Sequence, residues 1–133
     1  MTALAADRDT PVRDGVYLED PVAAGKIIYT GALVVLSATG YAEPGATATG
    51  LLARGRAEEQ IDNSAGADGD VSVRVRRGIF RFDNDSSIDR THITGTAYIV
   101  DDQTVAATDG TGTRSAAGEI VDVDSDGVWV WIK

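Results

Sequence analysis

Apolar and polar residues alternate with a period of two along almost the whole of this 133-residue chain, while a helical period is found almost nowhere. A strand turns successive side chains to opposite faces, so such alternation confines a segment to half-buried sheet. Clusters of Gly, Asn and Asp punctuate it roughly every ten residues, as hairpin turns with φ > 0 require. Strands are expected at Gly15–Glu19, Lys26–Leu36 with a break at Thr30-Gly31, Tyr41–Ala42, Leu51–Gln60, Val71–Phe82, Thr96–Val100, Thr104–Ala106, Ser115–Asp122 and Gly127–Ile132. Only Ser86–Thr94 offers a short helix, with Ser86 or Ser87 as N-cap and Asp89 in its first turn. The pattern predicts an all-β protein: a small antiparallel β-sandwich or jelly-roll-like barrel with at most one short helix.

The length suits one domain that buries roughly two-thirds of its unfolded surface. There is no cysteine, so packing alone must hold the fold. Residues 1–14 have no periodicity and include Pro11. Two readings fit them: a disordered end, or an extended arm carrying Arg8 and Arg13 that orders against a neighbour. Residues 15–133 form the single β-sandwich domain. The opening MTALAADRDT has charges where a secretory signal needs an apolar run. The apolar stretch Ile27–Leu36 is interrupted by Tyr29, Thr30 and Gly31, and falls short of the about 20 residues that span a bilayer. The expectation is a soluble protein made in the cytoplasm, with no membrane partner.

Charge is unevenly placed. The formal net charge is -9, yet six of the twelve Lys and Arg residues are Arg54, Arg56, Arg74, Arg76, Arg77 and Arg81, on two consecutive alternating runs read as one hairpin. Phosphate backbones repel so acidic a chain, which argues against direct nucleic-acid binding. A concentrated arginine patch on a rigid strand pair reads as a docking surface. Its bland alternative is internal pairing with the chain's own surplus acids. Within Val71–Phe82 the apolar phase slips by one residue at Arg77-Gly78, as a β-bulge would produce.

Catalytic equipment is sparse. The single histidine, His92, sits in RTHIT with no glycine elbow near any serine, which favours a surface or capping role over a general base. The glycines of GATATG and GTGTRSAAG have no helix or Walker lysine after them and read as loops. Asp122, Asp124 and Asp126 before Gly127 have calcium-loop spacing, but the twelfth loop position is Lys133 and a hairpin turn explains the same letters. They are weak metal candidates only, and no cofactor is expected. Trp129 and Trp131 share one face of the last strand and form a candidate subunit contact, since exposed aromatic pairs are enriched at interfaces.

The run from Gly31, GALVVLSATGYAEPG, echoes that from Thr96, TAYIVDDQTVAATDG. Two similar halves in a pseudo-symmetric sandwich, or chance likeness between hairpins, account for it equally. The strings GRAEEQIDNSAGADGDVSVRVRRGIFRF (Gly55–Phe82) and YIVDDQTVAATDGTGTRSAAGEIVDVDSDGVWV (Tyr98–Val130) resemble the capsid cement, or decoration, proteins of tailed bacteriophages and Mu-like prophages. The opening TALAADRDT and the GALVVLSATGYA hairpin are similar too. The resemblance implies a non-enzymatic virion protein on the outer surface of an icosahedral capsid. There it would bridge neighbouring major capsid protein subunits as a homodimer or homotrimer. Candidate capsid or subunit contacts are Arg8, Arg13, Arg54, Arg56, Arg74, Arg76, Arg81, Trp129 and Trp131. The competing expectation is a calcium- or carbohydrate-binding β-sandwich module, since such sandwiches often hold ligands near acidic loops.

Overall fold

Alternation builds strands close to where it predicts them. The computed structural model describes residues 2–133, with strands β1 (Tyr17–Pro21), β2 (Ile27–Ile28), β3 (Leu33–Leu36), β4 (Ala42–Pro44), β5 (Leu52–Ala57), β6 (Ile61–Asp62), β7 (Ser72–Arg76), β8 (Gly78–Asn84), β9 (Thr96–Ile99), β10 (Thr104–Ala106), β11 (Ala116–Asp124) and β12 (Gly127–Ile132). The fold is all-β and mostly antiparallel. One sheet has the order β1-β7-β5-β3-β4, and five later strands close a small barrel in the order β8-β12-β11-β9-β10. The barrel shuts through a parallel contact between β8 and β10. The first sheet curls in the same way, and an isolated parallel bridge from Val22 to Ala42 joins its two ends.

The two halves repeat one design. β1, β3, β4, β5 and β7 correspond in order and direction to β8, β9, β10, β11 and β12. Tyr17 pairs with Arg76 as Ile79 pairs with Trp131, and Val34 with Gly55 as Ala97 with Gly118. The hydrogen bond from the Ser37 N–H to the Tyr41 carbonyl (3.0 Å) reappears from Val100 to Thr104 (2.9 Å). That from Ala57 to Ala32 (2.9 Å) reappears from Ile120 to Gly95 (2.8 Å). Residues 33–57 thus match 96–120 without a gap, which places Leu33, not Gly31, opposite Thr96. The echo in the sequence is real but its alignment is two residues off. A two-residue slide leaves a period-two pattern unchanged, so alternation cannot fix it.

Both halves also share a bulge. Register shifts at Arg54 in β5 and at Ala117 in β11, one residue before Gly55 and Gly118. A Cβ on Gly55 would collide with the carbonyl oxygen of Arg76, and one on Gly118 with that of Trp131. These two positions require glycine for close backbone approach.

Three expectations need correction. Val71–Phe82 is not one bulged strand: the slip at Arg77-Gly78 is where the chain leaves the first sheet and enters the barrel. Val73 and Val75 accordingly fill one core while Phe80 and Phe82 fill the other. The expected run Leu51–Gln60 ends at Ala57, and Ile61-Asp62, which lies between the expected strands, pairs with β2. The only helical turn among the described residues is a 3-10 turn at Arg90–His92. Its N-cap is Asp89, not Ser86 or Ser87, because Asp89 accepts from the Thr91 N–H (2.8 Å) while His92 Nδ1 accepts from the Asp89 N–H (3.0 Å).

The cores interlock through β3. Val34 packs inward with Val22, Ile28, Ala42, Val73 and Val75. Its neighbours Leu33 and Val35 point the other way and complete the core of the barrel beside Phe82, Ile99, Val128 and Val130. Ser115 fastens the same junction, its hydroxyl donating to the Ala48 carbonyl (2.7 Å) and accepting from the Leu51 N–H (3.0 Å). No helix among the described residues is long and apolar enough to cross a membrane.

Candidate functional site

Arg54, Arg56, Arg74, Arg76 and Arg81 fall into four environments. Arg54 grips Asp20 through two bonds, Nε to Oδ2 at 2.8 Å and Nη2 to Oδ1 at 2.9 Å. Asp20 pairs with Val73 on the core-facing side of β1, so this ion pair closes the inside of the first sheet. The hydrogen bond to Asp20 raises the Arg54 pKa further, outweighing its partial burial. Arg56 lies over the Phe80 ring at 4.6 Å and bonds Glu58 at 2.6 Å, so it belongs to the junction between the halves. Arg81 stands on the barrel, 3.9 Å from Asp126 and 5.9 Å from the Trp129 ring centre. The arginine hairpin expected from sequence is therefore divided, and Arg54 and Arg56 serve the fold.

Arg74 and Arg76 differ. Alternation puts both on the outer face of β7, opposite Glu19 and Tyr17 of β1. Their guanidinium groups lie over the Tyr17 ring at 4.7 and 5.8 Å, and no carboxylate among the described residues comes within ion-pairing distance of either. Stacking on an exposed ring orients a guanidinium while leaving its edge N–H groups free to bond. An open depression of about 610 Å³ runs beside them, lined by Arg13, Tyr17, Leu18, Glu19, Ser72 and Arg74. Residues 2–14 form neither helix nor strand, and Arg8 and Arg13 are exposed there.

The equivalent outer face of the barrel carries Trp129 and Trp131 where the first half has Arg74 and Arg76. Trp131 is 41% exposed, with Lys133 Nζ 4.4 Å from its ring centre. Trp129 donates its indole N–H to Asp124 Oδ2 (3.1 Å). Asp124 Oδ1 also accepts from the backbone N–H groups of Asp126 (2.8 Å) and Gly127 (3.1 Å), and these bonds, the indole first, lower its pKa. Asp122 pairs instead with Arg90 (3.0 Å). Only the Asp124 carboxylate holds the hairpin turn, while that of Asp126 faces Arg81 at 3.9 Å, so the three do not converge: among the described residues no group of three or more His, Cys, Asp or Glu is placed to hold a metal ion. His92 is likewise engaged as a cap.

Two contributors escaped sequence reasoning. Tyr17, the platform under both free arginines, was legible only as an outward position of β1, because nothing in one strand names the strand beside it. Asn63 is buried and donates to the carbonyls of Val22, Ala23 and Ala67, which ties the long loop before β7 to the end of the first sheet. Compared with protein-family models, curated proteins and solved structures, the chain matches none of them.

Proposed function

We propose that this chain is a non-enzymatic virion protein that decorates an icosahedral capsid from outside and stabilises it by bridging neighbouring major capsid protein subunits. One observation carries the reading beyond the resemblance of its two long strings: the fold is a tandem. Two like halves, a curled sheet and a closed barrel locked together by β3, each present an outer sheet face, and the faces differ in chemistry. A bridging protein needs two docking faces held rigidly in one chain. Repetition over a lattice then turns two weak contacts into one strong attachment, since the second contact forms at high effective concentration.

Co-sedimentation with capsid heads that lack the protein tests this. Saturable binding, with a fixed number of copies per head and heads that burst at a higher temperature, is the expected result. Absence of binding at micromolar protein would refute it.

A further inference from the structure

The tandem supplies its own internal comparison. At inward positions of equivalent strands both halves keep valine: Val73 and Val75 in β7, Val128 and Val130 in β12. At the outward positions between and beyond them one half has Arg74 and Arg76 and the other Trp129 and Trp131. Sheet formation needs only that these sites tolerate water, so the packing of the fold does not explain two arginines in one half and two tryptophans in the other. Resting on the decoration reading above, we propose that the Tyr17–Arg74–Arg76 face, with the depression beside it, docks a carboxylate-rich segment of a protein partner.

Three observations support this choice of occupant. Arg54, Arg56 and Arg81 each lie within 4.0 Å of a carboxylate of this chain, whereas Arg74 and Arg76 do not, despite 21 acidic residues to choose from. Both guanidinium groups are instead pre-oriented by Tyr17, so little freedom is lost when they bind. Their planar forks match carboxylates in paired hydrogen bonds. The patch is also small, with Glu19 opposite Arg74 and Glu59 accepting from the Arg74 backbone N–H at 3.2 Å. A duplex or an anionic membrane would meet these acids, and the net charge of -9, as well as the arginines. A short acidic segment in the depression meets one of these acids, Glu19, alongside Arg13 and Arg74, and leaves the rest of the acidic surface uncovered.

The test is fluorescence polarisation of a labelled deca-glutamate peptide with the full chain. Saturable binding is expected, weakened by rising salt, weakened at least tenfold in R74S/R76S, and unchanged in W131S. Amide chemical-shift mapping on the wild-type chain, which needs no variant to fold, should place the peptide at Tyr17–Glu19 and Ser72–Arg76. Equal binding by R74S/R76S, no binding by the wild type at millimolar peptide, shifts centred elsewhere, or tighter binding of deca-thymidylate or phosphatidylserine vesicles would each overturn the proposal. Head co-sedimentation separates this failure from that of the broader reading. If wild type and R74S/R76S decorate equally, the surface is wrong and decoration stands; if the wild type does not decorate, decoration fails.

Discussion

Similar arginines in one sequence run do different work because of what lies across the sheet from each. Arg54 meets a mostly buried carboxylate, so its charge is spent inside the fold. Replacing Asp20 with Asn should destabilise the protein by about 2 kcal/mol, less than a fully buried pair because Arg54 is partly solvated. Arg74→Ser should cost no more than about 1 kcal/mol, the worth of exposed stacking on Tyr17 at a site with no carboxylate partner. Urea denaturation measures both, and a large loss in R74S would contradict the assignment of that side chain to solvent. Asp124 gives a pH signature. Its pKa is lowered in the fold by the indole of Trp129 and two backbone N–H groups. The stability it contributes is therefore complete above the unfolded value, about 3.9, and is lost as pH falls through the lower folded one. In a W131F background, Trp129 emission should titrate with a midpoint below that value and become flat in D124N. A midpoint at or above it would contradict the hydrogen bond.

At the scale of elements, the paired glycines are the sharpest prediction. Gly55→Ala and Gly118→Ala each push a Cβ onto a carbonyl of the neighbouring strand and should cost more than about 2 kcal/mol. Gly112→Ala, with φ +76° and open space around it, should cost only about 1 kcal/mol. Thermal melts of the three variants check this, and comparable shifts in all three would refute the shared close approach. Most strand positions were legible because alternation and turn residues are local signals. Partnership was not. The one-residue slip at Arg77-Gly78 is equally compatible with a bulge and with a change of sheet, and only long-range packing of Val75 against one core and Phe80 against the other decides between them. Likewise, nothing local distinguishes the paired Arg54 from the free Arg74. The hairpin turn at Asp124–Gly127 was readable, because its hydrogen bonds lie within a few residues.

Over the whole molecule, β3 makes the first sheet and the barrel into one body. Leu33 and Val35 lie on a strand of the first sheet but fill the core of the barrel. Leu33→Ala should therefore cost about 3 kcal/mol and lower amide-exchange protection in β8–β12 as well as in β3. Protection lost in the first half alone would mean that the halves are independent. A rigid body with two unlike faces is what bridging requires, and a bridge can be seen directly. Cryo-electron microscopy of heads mixed with the protein is the decisive measurement. The expected map has one copy spanning two capsid subunits, with the Arg74–Arg76 face on one and the Trp129–Trp131 face on the other. Bare heads at saturating protein, or copies attached through a single half, would contradict it.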